Sequence, residues 1–383
     1  MPVALTNARR FVVGLGLLLL VVLLWTASNF ITNDLETGED KWQKPFLITY
    51  LNTSSFAVYL IPVAWRYWKN GRRRSHEYRP VPADASPLTL VRSISPSPDS
   101  TTLSAIVDDA PAPLPKLSIR ETAEIAAWWS AVWFLANWSL NAALALASVS
   151  SVTILSSTTS FFTLTLGRAF GVEDVTRAKV FSALASFAGV VLVTKSDAMS
   201  AHVVGDNRPT HPILGDCLSL LSAAFYSVYV ILLKVRIGDE SRADTQLLLG
   251  FAGLFNIIFL IPVFPILHYL GWETFELPPT STAVTICIIN MLITLSSDYL
   301  YVLAMLKTTP MLVTIGLSMT IPFAMIGSMF IPSAHTDSVT GLSVLGAALV
   351  VGSFLVLGWQ GWNESKQPQE VRGLGIEAEG LDA

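Results

Sequence analysis

Long apolar runs alternate along this chain with short polar loops, and the runs are too long for the helices of a water-soluble domain. A helix needs ~20 mostly apolar residues to cross a bilayer. Runs near that length are predicted at 11–31, 45–65, 125–147, 149–166, 178–194, 213–235, 247–270, 283–306, 311–331 and 339–357. The shorter ones fit with tilt or local bilayer thinning. The pattern predicts an all-α polytopic membrane protein of ten transmembrane helices, five in 11–195 and five in 213–358, followed by a tail at 359–383.

The pattern repeats. Val152-Thr153-Ile154 with Ser157 and Thr159 reads V-T-I-x-x-S-x-T, and Val313-Thr314-Ile315 with Ser318 and Thr320 reads the same 161 positions later. At that offset Asn137 falls on Asp298, Trp138 on Tyr299, and Ala185 on Gly346. An odd number of spans per copy turns the second copy upside down in the membrane. A five-plus-five inverted repeat is the architecture of secondary transporters, with two near-equivalent states open to opposite sides. A channel or a scaffold is also compatible with it.

Composition agrees: 52% of residues are apolar and 14% charged, where soluble domains carry about 25% charged residues. The net charge of −4 is too small to suggest a nucleic-acid partner. Cys217 and Cys287 lie in apolar runs on the same predicted side. They read as core residues or as a disulfide, without metal spacing. Twenty of the 24 Lys and Arg fall on the side that holds the N-terminus, against Lys41, Lys44, Lys195 and Arg208 on the other. Both termini are therefore expected in the cytosol. The first run follows Arg9 and Arg10 as in a signal peptide, but its length and the lack of a small-residue cleavage site read as an uncleaved helix. Residues 80–116 are rich in Pro, Ser and Asp and read as a disordered cytosolic loop. Ser95-Pro96 and Ser97-Pro98 in it read as phosphorylation sites or as part of an inert tether. The sequons at Asn52, Asn137 and Asn363 fall in spans or in the cytosol, where no glycan is expected.

Candidate chemistry lies inside the spans. Asp298, flanked by Tyr299 and Tyr301, is a carboxylate deep in an apolar run. Such a group costs at least ~2.5 kcal/mol on insertion scales, so it faces water, a partner or a function. It reads as a proton or cation site, as an acceptor for solute, or as a protonated or paired acid that fixes packing. Asn137 and Asn141, four apart, share a helix face. Asn137 as repeat-mate of Asp298 suggests a clamp of amide and acid, and interhelical hydrogen bonding is the plainer reading. Thr153 with Ser157 and Thr314 with Ser318 also share faces. Pro322 leaves the carbonyl of Ser318 without its helical donor and predicts a hinge. The first copy has Phe161 there, so an asymmetric kink is expected. Trp25, Asn29, Tyr226 and Tyr229 are further pathway candidates. Ala185-x-x-x-Gly189 and Ala348-x-x-x-Gly352 read as close helix packing or a homodimer seam. No phosphate loop, HExxH or His/Asp/Ser constellation is visible. Neither an ATPase nor another enzyme is expected, and no cofactor or metal.

Several stretches carry a resemblance: Lys44-Pro45-Phe46 with Tyr50-Leu51-Asn52-Thr53-Ser54, Thr153 to Thr158, Leu232-Leu233-Lys234-Val235-Arg236 through Gly238-Asp239-Glu240-Ser241, and Leu317 to Pro322. With the inverted repeat they resemble the drug/metabolite transporter superfamily (EamA-like), in particular solute carrier family 35 subfamily F and its fungal vacuolar-membrane relatives. The resemblance implies a ten-helix transporter of a vacuolar or Golgi-related membrane. In the wider group it implies nucleotide sugars as solutes, and for some subfamily members a link to thiamine. A diphosphate would favour buried cations, whereas the clear deep charge here is Asp298. Lys195 and Lys307 sit at span ends where they can snorkel, so the charge tilts toward a cationic or neutral solute.

The sequence thus predicts a secondary transporter of a small organic solute, working by alternating access and coupled to protons or exchange. Its site is expected among spans 1, 3, 4, 6, 8 and 9, and its partners are the bilayer and the solute. The alternatives are a nucleotide-sugar antiporter and a membrane receptor or scaffold acting through the 66–120 stretch.

Overall fold

The computed structural model describes residues 2–37, 44–76, 116–147, 149–201, 211–271, 273–329 and 340–366. The Ser95 and Ser97 sites, nearly all of the predicted disordered loop, Lys41, Arg208 and the tail beyond 366 lie outside them. All regular structure among the described residues is helical. Helix α1 spans Pro2–Thr37; α2 (Pro45–Ser54) and α3 (Leu60–His76) are joined by a 3-10 turn, Ser55–Tyr59; α4 spans Ile119–Leu146. There follow α5 (Val149–Ser156), α6 (Thr159–Ala169), α7 (Arg177–Ala201) and α8 (Pro212–Ile237). The remainder are α9 (Thr245–Leu260), α10 (Val263–Leu270), α11 (Ser281–Lys307), α12 (Pro310–Leu317), α13 (Thr320–Ser328) and α14 (Gly341–Lys366).

Local chemistry sets the ends. Ser118 and Glu121 close a capping box on α4, which satisfies two orphan donors reciprocally. Asp244, Thr280 and Thr309 cap α9, α11 and α12. Proline opens α2, α8 and α12, where its missing N–H costs nothing. Gly271 ends α10 at φ 69°, in the left-handed region.

Among the described residues seven helices are long and apolar enough to cross a membrane, and an eighth if α9 and α10 form one span. Helix α4 and the α5–α6 pair, the third and fourth predicted spans, fall outside that set. Trp, Ser and Asn dilute the apolar stretch of α4, and the α5–α6 pair is interrupted among hydroxyl residues.

Besides the 3-10 turn inside the second predicted span, three interruptions refine the predicted spans. The first is a 45° bend between α9 and α10, next to Pro262, whose ring cannot continue the hydrogen-bond ladder. The second lies between α12 and α13, just before Pro322, where Ser318 and Met319 turn to carbonyls three residues back, at 3.1 and 3.0 Å. The third lies between α5 and α6, 161 positions earlier and without a proline. There Ser157, Thr158 and Thr159 each donate a hydroxyl to the carbonyl three residues back, at 2.6, 2.5 and 2.6 Å. The expected asymmetric kink is therefore corrected: both copies break at the same place, because hydroxyls bonded to the preceding turn do in the first what proline assists in the second.

The helices pair across the molecule: α1 along α11, α4 along α8, α7 along α14, and α9 along α2 and the 3-10 turn. Small residues allow the closest approaches. A Cβ on Gly189 would lie 2.6 Å from the Gly346 carbonyl and 3.1 Å from Val350 N; one on Gly346 would lie 2.6 Å from the Gly189 carbonyl and 3.0 Å from Val193 N. Gly189 thus packs as predicted, but its partner is Gly346. Ala348 is exposed and Gly352 faces open space, so the second small-residue pair is not an internal packing site. Trp129, Tyr229, Leu233, Leu248, Met305 and Met311 belong to one core built from both halves. The cysteines are free: Cys287 is buried as expected, while Cys217 is exposed and not a core residue.

Candidate functional site

A cavity of about 480 Å³ lies inside the bundle, at mid-depth and toward the end at which α1 finishes. Helix α1 lines it with Trp25, Ser28 and Asn29 and with nothing nearer its start. Asp298 is the one charged side chain among the lining residues, and it is only 4% exposed.

Nine sequence candidates meet there: Trp25, Asn29, Asn137, Thr153, Ser157, Tyr226, Asp298, Thr314 and Ser318. Tyr229, named beside them, lines it too. Helices α4 and α11 bring Asn137 and Asp298 to one space, as the clamp reading requires. The Asn137 amide also donates to the Trp133 carbonyl of its own helix at 2.9 Å, a bond within α4 and not the interhelical one of the plainer reading. Both interruptions contribute to the wall, through Ser156, Ser157 and Thr159 in one copy and Ser318, Thr320 and Ile321 in the other.

The aromatic residues form a supported floor. The indole N–H of Trp25 donates to Ser297 at 2.9 Å, and its ring stacks on Tyr301 at 5.7 Å. The Tyr226 hydroxyl donates to that of Tyr301 at 3.0 Å, and the Tyr226 and Tyr229 rings lie 4.6 Å apart.

Four candidates are not in the wall. Tyr301 stands behind it, holding Trp25 and Tyr226. Tyr299 turns away to Tyr59, at 5.7 Å between rings. The Asn141 amide donates to the Thr49 hydroxyl at 3.1 Å, so it acts on the wall through Thr49. Pro322 is buried one turn past the interruption.

Sequence reasoning missed Thr49 and Asn52 of α2, Ser222 of α8 and Thr294 of α11, all in the wall. The predicted site omitted the second span, and Val190 of α7 brings in the fifth as well. A signal exists for Asn52, an amide inside an apolar run, but the sequence reading takes it as a sequon and as part of the family resemblance and not as a wall residue. A lone carboxylate in a low-dielectric wall takes up a proton or a cation, and the amides and hydroxyls exchange hydrogen bonds with a polar solute.

The other end of the bundle, where α1 starts and α11 stops, is packed with charge. Arg10 of α1 reaches Asp239 at 2.9 Å and Glu240 at 3.3 Å, in the turn after α8. Glu240 also pairs with Lys307 at the end of α11. Lys307, read as able to snorkel, reaches from the end of α11 to Glu240 in the turn after α8 and is 17% exposed. Lys195 is exposed. Lys234 of α8 donates to the carbonyls of Leu306 and Thr308 at 3.2 and 2.9 Å. Buried Glu173 accepts from the Met311 N–H at 2.8 Å and from Lys179 at 2.6 Å. Partial burial pushes the Asp239 carboxyl up, but the Ser241 N–H and hydroxyl and Arg10 outweigh it and hold it at about 2.

No family model matches the chain. It is 39% identical over 361 residues to an uncharacterized vacuolar membrane protein of Saccharomyces cerevisiae, covering 91% of this chain and 90% of that one. It is 38% identical over 354 residues to an uncharacterized transporter of Schizosaccharomyces pombe, covering 92% and 97%. It is 30% identical over 390 residues to solute carrier family 35 member F5 of Pongo abelii, covering 85% and 73%.

Proposed function

This chain belongs to the family of the subfamily F solute carriers 35 and their fungal vacuolar-membrane relatives, and from that premise we propose that it is a secondary transporter of a small organic solute. It works by alternating access between two inverted five-helix repeats, 11–195 and 213–358, with both termini in the cytosol.

The observation that carries the reading is the cavity. It lies at mid-depth, draws its wall from both halves, and takes nothing from α1 before Trp25, while Arg10, Asp239, Glu240 and Lys307 pair at the end where α1 starts. One state of an alternating-access cycle has that form. The repeat is supported by equivalent contacts in both copies. Gly14 of α1 packs on Thr308 at the end of α11, and Gly215 of α8 packs on Ala147 at the end of α4. Thr308 and Ala147 differ by the repeat offset of 161. At α7 and α14 the reciprocal pair is Gly189 with Gly346, so the offset there drops by four, one turn of helix, from the alignment of Ala185 on Gly346.

The wall bears on the solute. It holds one carboxylate and no Lys or Arg among its residues. That favours a cationic or neutral solute over a nucleotide sugar, whose diphosphate would meet Asp298 without a counter-charge. Proton coupling has an acceptor in Asp298, and the Saccharomyces cerevisiae relative points to the vacuolar membrane.

The test is flux into proteoliposomes with wild type and Asp298→Asn side by side, offering organic cations, basic amino acids and nucleotide sugars with and without a pH gradient. Saturable cation uptake that follows the gradient and is lost in Asp298→Asn is expected. Exchange of a nucleotide sugar that ignores the substitution would overturn the role of Asp298. Silence across the panel from correctly inserted protein would favour the receptor reading.

A further inference from the structure

The corner between α11 and α12, residues 305–311, is gripped by charge from three directions. Its carbonyls at Leu306 and Thr308 receive Lys234. Its first free helical N–H, at Met311, is taken by Glu173, which Lys179 holds in turn. Its side chain Lys307 pairs with Glu240, which Arg10 of α1 also reaches. The signs match the backbone: a cation sits where α11 ends in carbonyls and a carboxylate where α12 begins in N–H groups, the arrangement that complements each helix dipole. Stability alone is a poor reason for it, because a buried ion pair repays little more than its desolvation, while removing one partner is costly. Glu173 and Lys179, both buried, form a pair that is strong when made and unfavourable when broken, which suits a two-position element, and the partly exposed pairs of Glu240 can part at lower cost.

We propose that this corner is the latch of the transport cycle, with Lys234, Glu173, Glu240 and Arg10 as positioning residues that hold the start-of-α1 end of the bundle shut and release it when the cavity turns to that side. The latch rests on the alternating-access reading. It needs all three grips, since each fixes a different group of the corner: the carbonyls, the N–H and the side chain. It joins the two repeats as well, because Glu173 comes from the first and Arg10 from the helix that opens it, while Lys234, Glu240 and Lys307 come from the second. Closing and opening this end is then a change in how the halves meet, and none of the four residues lines the cavity.

The experiment uses the full chain with both cysteines replaced by alanine and Ser318→Cys added as a reporter in the cavity wall. It is reconstituted in sealed vesicles, with orientation read from protease access to a terminal tag. A membrane-impermeant maleimide is applied from the latch side and, separately, from the other. Glu240→Gln is expected to raise labelling from the latch side by about tenfold and to lower it from the other, since the loss of one charge pair shifts a two-state equilibrium by that order. The charge swap Glu240→Lys with Lys307→Glu is expected to restore the wild-type rates in part, because it rebuilds the pair between positions 240 and 307 but sets like charge against Arg10, and a merely damaged fold would show no such recovery. Arg10→Gln, at a partly exposed position, gives a smaller shift in the same direction and stands in if Glu240→Gln does not fold. Unchanged labelling from both sides in the single variants, or a swap that labels like the singles, overturns the latch. Labelling needs no solute, so a protein silent in flux can still show the latch, and a protein that carries solute without these shifts refutes the latch and not transport.

Discussion

At the scale of single residues, what matters is whether a side chain meets backbone or space. Gly253 of α9 faces the 3-10 turn so closely that a Cβ would lie 2.3 Å from Ala57 N and 2.8 Å from the Phe56 carbonyl carbon. Backbone cannot swing aside, so Gly253→Ala is expected to destabilise by about 1–3 kcal/mol, as overpacking does. Gly352 of α14 meets nothing within 4 Å. There Gly352→Ala is expected to be neutral or to stabilise by about 0.5–1 kcal/mol through reduced backbone freedom. Thermal unfolding of the two variants in the same detergent separates them. If both lose stability equally, the packing of α9 on the 3-10 turn is not as described. Asp298 belongs to this scale too, since its role turns on one carboxylate with no charged neighbour in the wall.

At the scale of elements, the interruptions of α5–α6 and α12–α13 put hydroxyls and carbonyls on the cavity wall. In the first copy the hydroxyl bonds of Ser157 and Thr158 to the preceding turn accompany the break. Removing them and the third, from Thr159, with Ser157→Ala, Thr158→Ala and Thr159→Ala together is expected to let the helix run on. Solute flux should then fall by tenfold or more, about 1.4 kcal/mol, while the purified protein keeps its unfolding temperature within a few degrees. Flux at the wild-type level would mean that the break has no part in the cycle. Val152 to Thr159 announced this element in the sequence by repeating, but the break itself was expected only where Pro322 stands. Proline is a visible breaker, whereas a run of Ser and Thr breaks a helix only when its hydroxyls turn back on the preceding turn.

At the scale of the whole molecule, the family and the cavity bear on where the protein works. A tagged full-length chain expressed in yeast is expected to mark the vacuolar membrane and to co-fractionate with it. A Golgi pattern would revive the nucleotide-sugar alternative and weigh against the reading of the cavity charge. The packing of α1 on α11 and of α8 on α4 joins the halves near the cavity.

The sequence by itself determined that this is a helical membrane protein and that one polar-studded string recurs 161 positions on, and it singled out Asp298, Asn137 and the paired Thr and Ser residues as the polar groups of interest. Those are local properties: the length of an apolar run, a repeated string, and the cost of a charge in such a run. Only the tertiary structure decided which of them share a space. It turned Tyr299 away and kept Tyr301 behind Trp25, added Thr49 and Asn52 from a helix passed over, and paired Gly189 with Gly346. It also drew Lys307, Lys234 and Glu173 to one corner, although Glu173 and Lys307 are far apart in the chain. The rotation and register of a helix follow from what it packs against, and a helix hydrophobic on most sides carries too weak a periodicity to reveal which face turns inward.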